Sequence, residues 1–147
     1  MRHIVKSLGV VALIGLFASA AHAEEQVLQY EPSVVGLTGV IRMERHYGPP
    51  NFGASPKTDL VETVPILILD KPVTVQGNPR NPADSDSFSH VTRVQLVVAG
   101  PGGNDLTGFL GKHIVATGRL FEKVSGENFT DVLLDVQQIA PAAGASR

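Results

Sequence analysis

The chain has 147 residues, 43% of them hydrophobic and 18% charged, with 12 Lys/Arg against 14 Asp/Glu and no cysteine. That size and apolar share suit one domain with a core of its own. The basic residues are scattered singly, which argues against a nucleic-acid binder with its basic face or stripe. The missing thiols exclude disulfides, thiolate metal sites, cysteine catalysis and lipid attachment at an N-terminal cysteine.

In chain order, residues 1–23 open with basic Arg2 and Lys6, continue with an apolar run from Leu8 to Phe17, and end in Ala21-His22-Ala23. This is the pattern of a cleavable secretory signal peptide. The apolar run is about half the roughly 20 residues a spanning helix needs. Cleavage after Ala23 would leave ten basic residues against 14 acidic ones, a formal charge of −4, on a soluble periplasmic or secreted domain without a membrane span.

Residues 24–33 read as a polar leader. In "SVVGLTGVIRMER", Val35, Leu37, Ile41 and Met43 alternate with Thr38, Arg42 and Glu44, which predicts a strand over 34–45 with one buried face. The proline-rich loop "HYGPPNFGASP" follows. "TVPILILD", residues 63–70, is apolar on both parities, as a strand covered on both faces would be. Residues 71–90 read as a wide solvated loop marked by Pro79 and Pro82, with "PVTV" able to extend the sheet. A third strand is predicted over 91–99. Asn104 or Asp105 then caps a short helix carrying Leu106, Phe109 and Leu110, stopped by Gly111. Strands over 113–124 and 131–139 flank the turn "SGENFT", and residues 140–147 form a small-residue tail expected to be flexible.

Three strands, a short helix and two strands give an all-β fold with one short helix, in the order of a five-stranded OB-like Greek-key barrel over residues 34–139. Gly36, Gly39 and Gly118 suit its sharp bends. "YGPPNFG", "ETVPILILDKPV", "VQLVV" and "LGKHIVATGRLFE…DVLLDV" together resemble the domain of unknown function 4431 family of small exported bacterial proteins, over roughly Tyr30 to Val136. The resemblance implies an exported β-barrel. It supplies no activity and no catalytic residues.

OB barrels bind ligands on one sheet face framed by the loop after the first strand and the loop between the last two. Here those loops carry Tyr47, Asn51 and Phe52, and Asn128 and Phe129, with Lys123 and Glu127 nearby. Rings stack on apolar faces while amides bond hydroxyls or backbone, so this pairing suits a sugar or a peptide. Arg119 and Phe121 share one parity of the fourth predicted strand and complete the candidate set. Prolines 49, 50 and 56 stiffen the first loop, which limits the entropy lost on binding. The competing reading is that Phe52 and Phe129 fold inward and cap the domain.

His46, His90 and His113 each lie at a predicted strand end but lack the close spacing of a metal motif. Asp84 and Asp86 have calcium-loop spacing without the Gly and distal Glu of an EF-hand. No serine sits in a G-x-S-x-G elbow, and "GNDLTGFLGKH" lacks the Lys-Ser/Thr ending of a phosphate loop. The expectation is a non-enzymatic periplasmic binding domain with no cofactor or metal, recognising a cell-envelope glycan or peptide. The alternative is a protein-interaction domain, such as an inhibitor or immunity-type partner of an envelope enzyme.

Overall fold

The computed structural model describes residues 24–98 and 105–144; the signal-peptide reading and Asn104 lie outside the described residues. Six strands form one sheet: β1 (Gln26–Gln29), β2 (Val34–Tyr47), β3 (Val61–Gln76), β4 (Phe88–Val97), β5 (His113–Glu122) and β6 (Val132–Pro141). Their order is β1-β3-β2-β5-β6-β4, and β3 also pairs with β4. Each strand from β2 to β6 therefore has at least two hydrogen-bonded neighbours. All pairs are antiparallel except β1 with β3 and β4 with β6.

The all-β expectation holds, and several boundaries are corrected. The expected helix is a single 3-10 turn, Leu106–Phe109, whose Asp105 cap accepts the Thr107 N–H at 2.9 Å. The leader assigned to 24–33 contributes β1, so the sheet has six strands. Leu28 and Tyr30 alternate with exposed neighbours and are buried at 6% and 3% exposure, and their side chains join the core. Glu25 anchors this segment. Its carboxylate accepts Thr74 Oγ1 at 2.9 Å and the His90 N–H at 3.1 Å, and lies 2.8 Å from His90 Nδ1. The His90 ring and the Thr74 hydroxyl hold this carboxyl below the usual carboxylate range.

β3 runs through Pro72. Its pairing with β2 ends at Leu69 and that with β1 begins at Val73, so the proline falls where that edge needs no donor. The loop expected over 71–90 shrinks to 77–87 and contains a second 3-10 turn, Pro82–Asp84. Asp84 is buried there, accepting the Glu122 N–H at 2.9 Å and Asn81 Nδ2 at 2.7 Å. The tail is also shortened. β6 continues to Pro141, and Ala142 is buried with its N–H on the His113 carbonyl at 3.1 Å.

Alternation fills the interior. Val35, Leu37 and Ile41 of β2, Leu67, Val73 and Val75 of β3, Val94 and Leu96 of β4, Ile114, Ala116 and Leu120 of β5, and Val132, Leu134 and Val136 of β6 form one cluster. Ile66, Gln95 and Leu133 are opposite in register across β3, β4 and β6, on the other face, and are also buried, at 0%, 7% and 0% exposure. A row buried on the outer face needs a cover, which the β5–β6 connection supplies. Among the described residues, no helix is long and apolar enough to cross a membrane.

Candidate functional site

The β2–β3 loop, residues 48–60, is built around one carboxylate. Asp59, 8% exposed, accepts the backbone N–H groups of Asn51 at 3.0 Å, Gly53 at 2.8 Å and Ser55 at 3.1 Å. The base is closed by Gly48 N–H to the Leu60 carbonyl at 2.8 Å and Leu60 N–H to the Pro49 carbonyl at 2.9 Å. Burial alone would raise the Asp59 pKa. The N–H groups of Gly53, Ser55 and Asn51, with the Asn51 side chain, outweigh it and hold the carboxyl below its ordinary value.

The sign of the pH effect follows. A folded-state pKa below the unfolded one gives stabilisation that is present above the unfolded value and lost as pH falls through the folded value. The loop should therefore stay ordered at neutral pH and loosen in acid, below the ordinary carboxylate range, as faster amide exchange at Asn51, Gly53 and Ser55. Asp59→Asn should remove that acid transition and lower Tm by about 5 °C or more, because one carboxylate oxygen becomes an NH₂ set against the backbone donors it used to accept.

Phe52 takes a left-handed conformation, φ 49°, with Gly53 next at φ 96°. A bulky residue in that region carries a backbone cost that is repaid elsewhere. Its ring is 48% exposed, so burial in its own loop does not repay it. The ring rests on the other connection: a Cβ at Gly126 would lie 2.8 Å from Phe52 Cζ.

The β5–β6 connection, residues 123–131, is clamped by Gln95. Its side-chain carbonyl accepts the Phe129 N–H at 2.7 Å, its amide donates to the Glu127 carbonyl at 3.4 Å, and its own backbone N–H donates to Thr130 Oγ1 at 2.9 Å. Thr130 donates onward to the Val132 carbonyl at 2.8 Å. Phe129 so held stacks on His46, with centroids 4.3 Å apart and planes 11° from parallel. His46 Nε2 lies 3.3 Å from Glu44 Oε2, and Glu44 also pairs with Arg93.

The two loops therefore meet. His46, Tyr47, Phe52, Lys123, Gly126 and Phe129 line a cleft of about 390 Å³. Tyr47 and Phe52 keep 45% and 48% of their surface exposed, while Phe129 is half-buried. An apolar ring face or sugar face could stack here, with the Lys123 ammonium available to an anionic or hydroxyl-bearing substituent.

Of the residues expected from sequence, Tyr47, Phe52 and Phe129 come together. Asn51 is exposed on the same loop, with its amide engaged by Asp59. Asn128 braces its own loop: its side-chain carbonyl accepts the N–H groups of Val124 and Ser125, both at 3.0 Å. Arg119 and Phe121 are not among the residues that line the cleft. Arg119 is opposite Asp135 in the β5–β6 register, and Phe121 is opposite Leu133, extending the covered outer row.

Sequence reasoning missed His46 as the stacking platform and Gln95 as the clamp. The signal for the clamp was indirect: "ILIL" and "VLL" are apolar on both parities, which implies something lying over the second face. The histidines stay apart, His90 with Glu25 and His113 with Asp70 at 2.5 Å. No group of three metal-ligating side chains converges among the described residues.

No curated protein and no solved structure matches the chain. One family model does match, over residues 93–140, a stretch that runs from within β4 to the end of β6 and includes the Lys123, Gly126 and Phe129 side of the cleft. That match, to the family described as Domain of unknown function (DUF4431), agrees over residues 93–140 with the family resemblance read from "VQLVV" and "LGKHIVATGRLFE…DVLLDV".

Proposed function

We propose that this is an exported, non-enzymatic OB-like barrel that binds a cell-envelope glycan or peptide across the rim formed by its two ring-bearing loops. The basic, apolar and small-residue segments of 1–23 support export. The barrel reading rests on the pairing circuit: β2, β3, β4, β6 and β5 each have two neighbours within the ring, β4 runs parallel to β6, and a single helical turn sits between β4 and β5.

The observation that carries the binding reading is the convergence of Tyr47, Phe52 and Phe129 around one cleft, with Phe52 held in a costly backbone conformation and left half-exposed. Local strain of this kind concentrates at sites that contact ligands. The protein-interaction reading has one observation of its own. Val61, 48% exposed, is opposite Tyr47, and Leu60 beside it is 62% exposed, so an apolar patch adjoins the rim.

The double variant Tyr47→Ala with Phe52→Ala separates these readings from a purely structural role. On a glycan- or peptide-binding rim it should change Tm by no more than a few degrees while abolishing pull-down of envelope polymers. A loss of about 10 °C or more would instead make the rings part of the core. Retained polymer capture by the double variant, lost only on Leu60→Asp, would favour a protein intermediary.

A further inference from the structure

A second binding site opens where β3 changes partner. On one edge β3 pairs with β2 as far as Leu69, then with β1 from Val73, and its other edge is taken by β4. β1 and the start of β2 thus lie on the same side of β3, run antiparallel to each other, and are joined by residues 30–33. They do not pair. Between them lies a wedge of about 590 Å³, bounded by Glu24–Gln26, Gly36–Thr38 and Leu69–Val73.

The chemistry of this wedge is set by backbone. Val34–Thr38 is in register with β5 alone, since pairing with β3 begins only at Gly39. In an antiparallel pair alternate residues direct their N–H and C=O to a given neighbour. Half of the backbone groups over these five residues therefore face the wedge with no ladder partner among the described residues. Among the described residues β1 is the terminal strand of the sheet and has a free edge as well. Unpaired strand edges are templates for an added strand.

We infer that the wedge accepts an extended, basic peptide segment by strand addition along Val34–Thr38. Five residues of strand span about 17 Å, enough to register four or five residues of a guest. Charge selects the guest: Glu24, Glu25 and Asp70 line the wedge against Lys71 alone. The walls are already fixed, since Glu25 is tied to Thr74 and His90, and Asp70 to His113, so little ordering is needed on binding.

This site is separate from the aromatic rim, and its test reads the two apart. The probe is an acetylated, amidated Lys-Val-Lys-Val-Lys-Val-Lys heptapeptide titrated into the ¹⁵N-labelled domain, with a Glu-Val version of equal length and a version N-methylated at alternate residues. The expected result is saturable shifts at Gly36, Thr38 and Lys71 with slowed exchange of their amides. The Glu-Val peptide should bind at least about tenfold more weakly, and the N-methylated one not at all. Glu24→Lys, an exposed change, should weaken the Lys peptide about threefold or more and leave Tm unaltered. No saturable shifts at the wedge, equal binding of the acidic or N-methylated peptides, or shifts confined to Phe52, Gly126 and Phe129 would each overturn the inference.

Discussion

Replacing Gln95 with leucine is expected to destabilise the domain by about 2–4 kcal/mol and lower Tm by about 10 °C. The apolar side chain, similar in size but branched one carbon earlier, would keep the outer row between Ile66 and Leu133 hydrophobic. It would also strip the Phe129 N–H of its acceptor and the Glu127 carbonyl of a donor, both in part-buried positions. Removing one side of a buried hydrogen bond costs more than the bond contributes, because the other side loses its partner outright. The loss should be local first: amides 125–130 exchange faster, and the His46–Phe129 stack loosens before the interior opens. Thermal unfolding with residue-resolved exchange checks this. A Gln95→Leu domain with unchanged Tm and unchanged exchange at Phe129 would mean that the loop is held by its rings alone.

The second large effect is steric. At Gly39 an added Cβ would overlap the Ile68 carbonyl oxygen, and at Gly118 the Asp135 carbonyl oxygen; both obstacles are backbone and cannot rotate away. Gly39 is the residue at which β2 begins to pair with both β3 and β5, and Gly118 sits at the register shift between β5 and β6. These are the bends where neighbouring strands come closest. Gly39→Ala and Gly118→Ala are each expected to cost about 3 kcal/mol or more, or to prevent folding. Gly36→Ala is the matched control. It lies in the same strand as Gly39, its Cβ would meet only Val115 Cγ1 at 3.7 Å, and the change should stay within about 0.5 kcal/mol. Chemical denaturation of the three variants decides it, and equal stability of Gly39→Ala and Gly36→Ala would contradict the packing described.

Alternation made the interior of β2 legible before any coordinates, because Val35, Leu37 and Ile41 fall on one parity and all three are buried. The double-sided character of "PILILD" was legible too: Ile66 and Leu67 are both fully buried. What the sequence hid were features made by distant parts of the chain. β1 is four residues long and looks polar, and its place depends on Glu25 reaching Thr74 and His90, 49 and 65 positions away. Gln95 alternates with Val94 and Leu96 like any outward residue of a half-buried strand. Only the loop folded over it turns that polar position into a clamp.

The aromatic rim was legible as two ring-bearing loops, but their meeting was not: β2 and β5 are antiparallel, and the second loop reaches His46 only by folding across Gln95. Composition did not say which members would take part. Asn128 and Asn51 look like ligand amides, yet both serve their own loops, as Asn and Asp commonly do in turns. Arg119 and Phe121 share a parity, but neither is among the residues that line the cleft.

The central claim is that loops 48–60 and 123–131 form one recognition surface. Titrating the ¹⁵N-labelled domain with soluble peptidoglycan fragments tests it most directly. The account predicts saturable shifts at Phe52, Gly126 and Phe129 together, absent in the Tyr47→Ala, Phe52→Ala double variant. Binding that moves only one of the two loops, or that survives the loss of both rings, would contradict it.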